Sequence, residues 1–183
     1  MTEEIIIAGF GGQGVLSMGM TLAYAGMVEG KNVVWMPSYG PEMRGGTANC
    51  TVVISDEKVS SPIINRYDTV VVLNQPSMEK FEDAVKPGGR LLYETNNIIS
   101  QPTRTDIGIY SIPANQEAII LKNTKTMNMI MLGSILSLVP LVKVESILTA
   151  LHKVLPDRHH HLIPINEQAI QRGLELTQPA VVG

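Results

Sequence analysis

Cysteine is almost absent: Cys50 is the one thiol in 183 residues. A lone thiol excludes an internal disulfide, a four-cysteine zinc site and an iron–sulfur cluster held by this chain alone. It also points to a cytoplasmic compartment. Basic runs are absent too. The 14 lysines and arginines are scattered from Lys31 to Arg172 and the formal net charge is −3. That argues against nucleic acid and against an anionic membrane surface as partners. No apolar run is long enough to span a bilayer. Met127 to Val139 is 13 residues, bounded by Pro140, whereas a span takes about 20. The opening MTEEIIIAGF carries acids where a signal peptide needs positive charge. What is present is a globular composition, 44% hydrophobic and 17% charged, on a chain long enough for one domain with a sizeable core.

Glu4 to Ala8 is a continuous apolar run ending in glycine and reads as a strand buried on both faces. Val15 to Glu29 reads as a helix, with Leu16, Met20, Ala23 and Met27 on its apolar stripe and Gly30 at its end. Asn32 to Pro37 is a second strand, which makes the opening a βαβ unit. Further strands fall at Ala48–Ser55, Thr69–Leu73, Arg90–Glu94 and Gly108–Ile112. Ser77 is the expected cap of a short helix that Pro87-Gly-Gly89 terminates. Helical patterns at Gln116–Leu138 (broken near Asn123), Val142–Leu155 and Ile165–Leu176 close the chain. The alternation predicts an α/β fold: three layers, Rossmann-like, a largely parallel sheet with helices on both faces.

Gly9, Gly11 and Gly14 match G-x-G-x-x-G between a strand and a helix. In that pattern the first glycine makes a tight turn, the second lets backbone approach a ligand, and the third lets helix and strand pack. Helix amides then face an anion. The alternative is that the glycines serve packing or the approach of another subunit. A self-contained NAD site wants an acid at the end of the second strand, and Val34-Trp35-Met36-Pro37 has none. No Lys-Ser or Lys-Thr follows the cluster, so it is not a P-loop. A small NAD-dependent dehydrogenase is therefore a weak reading.

Tyr39-Gly-Pro-Glu42-Met-Arg44-Gly45-Gly46 sets a carboxylate two residues from a guanidinium among glycines. Arg44 suits a carboxylate or phosphate; Glu42 and Arg44 equally suit a pair that holds its own turn. Gly9-Phe-Gly11-Gly12-Gln13-Gly14, followed by Pro41-Glu42-Met43-Arg44-Gly45-Gly46 and a strand closing in Val53-Ile54-Ser55, resembles the gamma subunit of 2-oxoacid:ferredoxin oxidoreductases. Pro164-Ile-Asn166, Ala169 and Gly173 are similar to that family's C-terminal pattern.

The resemblance implies one gamma-type domain over residues 1–183, most like the 2-oxoglutarate enzyme's. It implies a heteromeric complex with alpha and beta, and in some enzymes delta, subunits. That complex converts a 2-oxoacid, coenzyme A and oxidised ferredoxin to acyl-CoA, CO2 and reduced ferredoxin. Thiamine diphosphate, magnesium and iron–sulfur clusters belong to other subunits, and no catalytic residue or metal ligand is expected here. The candidate coenzyme A, phosphate or interface contacts are Gly9, Gly11, Gly12, Gln13, Gly14, Tyr39, Glu42, Arg44, Gly45 and Gly46. The pyruvate, 2-oxoisovalerate and indolepyruvate enzymes remain alternatives, as does a free-standing nucleotide-binding regulatory module.

Other residues read more plainly. His159-His160-His161 follows Pro156 and reads as an exposed loop rather than a metal site, and His152 as a packed or solvated helix residue. Cys50 reads as a small buried hydrophobe. Met127, Met129 and Met131 lie on a helix apolar almost all round, which suits a core or a subunit interface. Asn74-Gln75-Pro76-Ser77 follows a buried strand at the sheet's carboxyl edge, where ligands collect in such folds.

Overall fold

The computed structural model describes residues 1–38, 47–61 and 63–177. In chain order these form β1 (Thr2–Phe10), α1 (Val15–Val28), β2 (Asn32–Ser38), β3 (Thr47–Ser55), β4 (Tyr67–Val72), α2 (Gln75–Phe81), β5 (Val85–Glu94) and β6 (Gly108–Ile112). Four helices follow: α3 (Ala114–Ile120), α4 (Met127–Leu138), α5 (Val144–Val154) and α6 (Ile163–Glu175). The sheet order is β2-β3-β1-β4-β5-β6. Ile5, Ile6, Ile7 and Ala8 are all buried because β1 lies inside the sheet with apolar layers on both faces. Ile5, Ile7, Val52, Ile54 and Val71 pack with α1 and α3–α6 on one face. Ile6, Val70, Val72 and Leu91 pack with Met78 of α2 on the other. The three layers are therefore lopsided: a thick helical bundle on one side and one short helix on the other.

Four expectations need correction. The opening is not a simple βαβ unit. β3 runs antiparallel between β1 and β2, in register Ile5↔Val52 and Val34↔Val53. The eight residues separating β2 from β3 suit a hairpin, whereas a parallel crossover needs a dozen or more. Pro87-Gly-Gly89 does not end a helix but lies within β5. There five steps (Val85 to Arg90) oppose two on β4 (Tyr67 to Thr69), with Gly88 in the left-handed region. A bulge absorbs the residues a regular ladder cannot hold. Of the expected α1 stripe Ala23 is buried, Leu16 and Met20 are half-buried and Met27 is exposed; the buried face also takes in Val15, Met18, Gly19, Leu22 and Gly26. The glycines decide this: a Cβ at Gly26 would stand 2.8 Å from Val33 Cγ2, and one at Gly19 would meet Cys50 Sγ. Finally, Asn74, not Ser77, caps α2. Its Oδ1 accepts the Ser77 N–H at 2.9 Å, the usual N-cap bond.

α4 is buried from Met127 to Leu136, so its methionines belong to the core. It lies so close to α6 that a Cβ on Gly133 would strike the Ile170 carbonyl, and one on Gly173 the Ile130 carbonyl. The Ser134 hydroxyl lies 3.1 Å from both the Ile130 and Gly173 carbonyls. At the amino end of the sheet, Arg90 pairs with Glu3 at 2.8 Å, and Lys86 bridges Glu4 (2.6 Å) and Asp68 (2.8 Å). Among the described residues no helix is long and apolar enough to cross a membrane.

Candidate functional site

The carboxyl ends of β1 and β4 lie side by side, and chain direction diverges there: β1 leads toward β2 and β4 toward β5. Such a switch point opens a crevice in an α/β sheet. The turn after β1 is built by three glycines, but not with the roles the motif predicts. Gly9 is the packing residue, since a Cβ there would sit 2.9 Å from Leu73 Cβ and 3.0 Å from Val15 Cγ2. The tight turn is made by Gly12 (φ 89°) and Gly14 (φ 77°), both left-handed. Gly14 also abuts Asn128 of α4, not a strand. Gly11 lines a cavity of about 290 Å3 together with Ala48.

Gln13 holds this turn in place. Its Oε1 accepts the Phe10 N–H at 2.7 Å and its Nε2 donates to the Leu73 carbonyl at 3.2 Å. That side chain therefore ties the turn to the end of β4. Gly14 is the N-cap of α1 and no side chain caps the helix. The first amides of a helix have no partner within it, and they carry the positive end of its dipole.

Tyr39, Glu42, Arg44, Gly45 and Gly46 lie outside the described residues. Their flanks are placed: Ser38 pairs with Asn49, and Thr47 with Phe10. The segment therefore leaves and re-enters the sheet at the same end as the glycine turn.

Sequence reasoning missed the opposite wall. Asn115, Thr124 and Lys125 face Gly12, Gln13 and Gly14 across a cavity of about 340 Å3. Lys125 also lines a second cavity of about 500 Å3 that reaches Ser17, Asn128, His159 and Asn166. The signal was there: Asn123-Thr-Lys-Thr126 is a polar turn between apolar helices, and Asn128 is a carboxamide inside an apolar run. Only the chain's return to β1 reveals what they face. Asn115 is held from behind. Glu94, fully buried at the end of β5, accepts the backbone N–H of Asn115 (3.1 Å), Asn96 (2.9 Å) and Asn97 (3.0 Å). Burial raises the Glu94 pKa, and these hydrogen bonds oppose the rise.

Lys122 precedes that polar turn and adopts φ 57°, a conformation an L side chain enters at a cost of about 1–2 kcal/mol. Lys122→Gly is expected to raise stability by about 0.5–1 kcal/mol, after allowing for glycine's greater unfolded-state entropy. Urea unfolding of the two proteins checks this; a destabilised variant would mean that the lysine side chain itself holds the turn.

Cys50 is buried, its thiol 3.6 Å from the Val15 carbonyl, and burial pushes its pKa up to about 12. It is a packing residue with no thiolate character near neutrality. The histidine run is not a free loop but the 3₁₀ turn Asp157–Leu162. His160 is half-buried, its Nε2 3.0 Å from the Leu155 carbonyl and its ring edge-on to His152 at 4.9 Å. His159 lines the larger cavity. Adjacent residues thus point to different neighbours. Asn74 Nδ2 and Ser77 Oγ are buried without a partner among the described residues.

The pyruvate ferredoxin/flavodoxin oxidoreductase family pattern matches residues 4–176. The ketoisovalerate oxidoreductase subunit VorA of Methanothermobacter thermautotrophicus is 44% identical over 135 residues, 74% of this chain and 28% of that protein. This chain thus spans about a quarter of that relative's length. The 2-oxoglutarate synthase subunit KorC of Methanocaldococcus jannaschii is 35% identical over 162 residues, 85% of each chain. Among solved structures, the 2-oxoglutarate:ferredoxin oxidoreductase from Magnetococcus marinus, with 2-oxoglutarate, coenzyme A and succinyl-CoA bound, superposes with a TM-score of 0.85 at 25% identity. The match covers 96% of this chain and 31% of that one.

Proposed function

The chain belongs to the pyruvate ferredoxin/flavodoxin oxidoreductase family, and from that premise we propose that residues 1–183 form the gamma subunit of a cytoplasmic 2-oxoacid:ferredoxin oxidoreductase. Its substrate in this reading is 2-oxoglutarate. The observation that carries it is the end-to-end correspondence with KorC, 85% of each chain. A 2-oxoisovalerate enzyme is the second reading, supported by the higher identity, 44%, to a region of VorA.

The assembled enzyme would consume a 2-oxoacid and coenzyme A, release CO2 and acyl-CoA, and pass two electrons to ferredoxin. In this reading thiamine diphosphate, magnesium and the iron–sulfur clusters belong to other subunits. The single cysteine of this chain is buried with a raised pKa, and no group of three His, Cys, Asp or Glu able to hold a metal occurs among the described residues. Alpha and beta subunits would supply them. Coenzyme A fits better. Its phosphates match the uncapped α1 amides at Gly14 and a guanidinium at Arg44, and its thiol is the acyl acceptor. In this reading Gly9 and Gln13 set the shape of the turn, Gly12 and Gly14 give access to its amides, and the chain orients coenzyme A without taking part in bond-making.

Anaerobic purification of the chain from its native cells is expected to yield a large assembly carrying thiamine diphosphate and iron that reduces a dye with 2-oxoglutarate. In that complex Arg44→Ala is expected to raise the KM for coenzyme A about tenfold, the loss of one charge-assisted contact worth roughly 1.4 kcal/mol. A lone chain carrying neither group would overturn the subunit reading. An unchanged KM would make the Arg44 segment an interface element.

A further inference from the structure

β2 is the outermost strand of the sheet and, among the described residues, pairs with β3 alone. An open edge strand presents unpaired N–H and C=O groups, and proteins guard such edges with charge, proline or a covering element. Asn32-Val-Val-Trp-Met-Pro-Ser38 carries no charge, and its proline stands one residue from the end. The helix beside it is equally unguarded. α1 rests Gly19 against Trp35 and Gly26 against Val33, and none of its 14 residues is charged. Leu16, Met20, Tyr24 and Met27 recur at spacings of four, four and three, which sets them in one row. Leu16 and Met20 are half-buried, while Tyr24, Met27, Val28 and Met36 are 40–61% exposed. A surface helix ordinarily turns charged and polar residues to water; this one turns methionine, tyrosine and valine. We propose that a second copy of this chain covers the edge. Its β2 pairs antiparallel with this β2 about a two-fold axis at Val34, and the two α1 helices pack side by side. This goes beyond the subunit reading and does not rest on it.

Geometry selects this occupant. A two-fold axis perpendicular to the sheet makes two copies of one edge strand antiparallel by necessity, with the same surface used on both sides. The axis also keeps every side chain on its own face of the joined sheet. A register centred on Val34 meets that condition. It opposes Val33 to the second copy's Trp35 and Asn32 to the second copy's Met36. It leaves Pro37, which has no N–H to donate, outside the ladder. α1 lies over β2 and β3. With strands about 4.8 Å apart, the same axis brings the two α1 helices to about 10 Å, a helix-packing distance. Charge agrees with this arrangement. Lys31, at the start of β2, already pairs with Asp56 at 2.9 Å within the chain, so no unpaired like charges meet across the axis. Covering the α1 row and the strand edge would bury on the order of 1,000 Å2 over both copies, the size at which specific interfaces begin.

Sedimentation of the full 183-residue chain is expected to give a species of twice 19.9 kDa. Emission from Trp35, the one tryptophan, is expected to shift to the blue as concentration rises through the dimer Kd. Val34→Cys is expected to cross-link to itself when oxidised with diamide, because facing residues of an antiparallel pair lie within disulfide reach. Val33→Cys, which does not face its own copy, is expected to stay monomeric on a denaturing gel. Cys50 is buried and gives no background. Met27→Glu is expected to weaken the dimer at least a hundredfold, and Tyr24→Glu serves the same purpose should that variant fail to fold by circular dichroism. Ile119→Glu, at an exposed apolar residue of α3, is expected to leave the dimer unchanged. A chain monomeric at every concentration, a dimer untouched by the glutamate variants, or a Val34→Cys that does not cross-link to itself would overturn the inference. So would a Val34→Cys that, in the assembly purified from native cells, cross-links to a different subunit, since the edge would then belong to that subunit.

Discussion

Gly173→Ala is expected to lower the unfolding free energy by about 3 kcal/mol, at the upper end of what overpacking costs. The melting temperature should then fall by roughly 6–12 °C for a domain of this size. The reason is what the new methyl would meet. A Cβ at Gly173 runs into the Ile130 carbonyl and the Gly133 Cα, and its counterpart at Gly133 into the Ile170 carbonyl. These are backbone atoms inside helices and cannot rotate aside as a side chain would. Relief requires α4 and α6 to separate. Separation would pull Ile130, Ala169 and Ile170 apart, all fully buried, and break the Ser134 contact to Gly173. Gly30→Ala is the control. Gly30 has φ 73° and open space around its missing Cβ, so only the left-handed strain of about 1–2 kcal/mol applies. A Gly173→Ala variant no less stable than Gly30→Ala would show that the helix pair can slide.

Glu94→Ala should cost about 3 kcal/mol. Each hydrogen bond contributes about 0.5–1.5 kcal/mol net, and buried Glu94 accepts three, from the part-buried N–H groups of Asn96, Asn97 and Asn115. Glu94→Gln keeps one acceptor oxygen and removes the titration. Burial raises the pKa of the native carboxyl above its ordinary 4.5. The native chain therefore holds this proton to higher pH than the unfolded chain. Its contribution is full below pH 4.5 and declines as pH rises through the native value. The stability gap between wild type and Glu94→Gln is therefore expected to be widest at the acid end and to narrow toward pH 7. Urea unfolding at several pH values reads this directly, and a gap that widens with pH would reverse the assigned shift.

How much of this was legible in the sequence depended on whether the deciding contact was local. The run Ile5-Ile6-Ile7-Ala8 announced a strand covered on both faces, and Met127 to Leu136 announced a helix without a wet side; both are buried as expected. Gly30 marked the end of α1 because a left-handed residue is needed there. Most of the failures are non-local. The Ala48–Ser55 run is apolar enough for either strand direction, and only its pairing with both β1 and β2 fixes it as antiparallel. The α1 stripe was misjudged because Gly19 and Gly26 scored as neutral, although their lack of a side chain is what lets β2 and β3 approach. Ser77 looked like a cap because hydroxyls cap helices, but α2 begins earlier, at Gln75, and Asn74 caps it by accepting the Ser77 N–H. In the glycine turn the pattern put the tight turn at Gly9, whereas Gly9 packs against Leu73 and the left-handed residues are Gly12 and Gly14. Lys125 and Asn128 stand out locally only as polar residues beside apolar helices. More than 110 positions of chain separate them from Gly14, and the cleft exists only once α4 has docked.

The inserted position of β3 has a consequence for synthesis. Within the sheet β2 touches only β3, so a nascent chain that has exposed residues 1–38 holds β2 with no strand to join. Val33, Val34, Trp35 and Met36 must wait for the chain to extend from Ser38 to Ser55, 17 residues, which takes roughly 1–3 s at translation speed. During that interval an apolar, uncharged strand faces water beside a ribosome that is making more of it. A chaperone that shields short apolar segments at the exit tunnel would matter more for the first third of this chain than for its helical remainder.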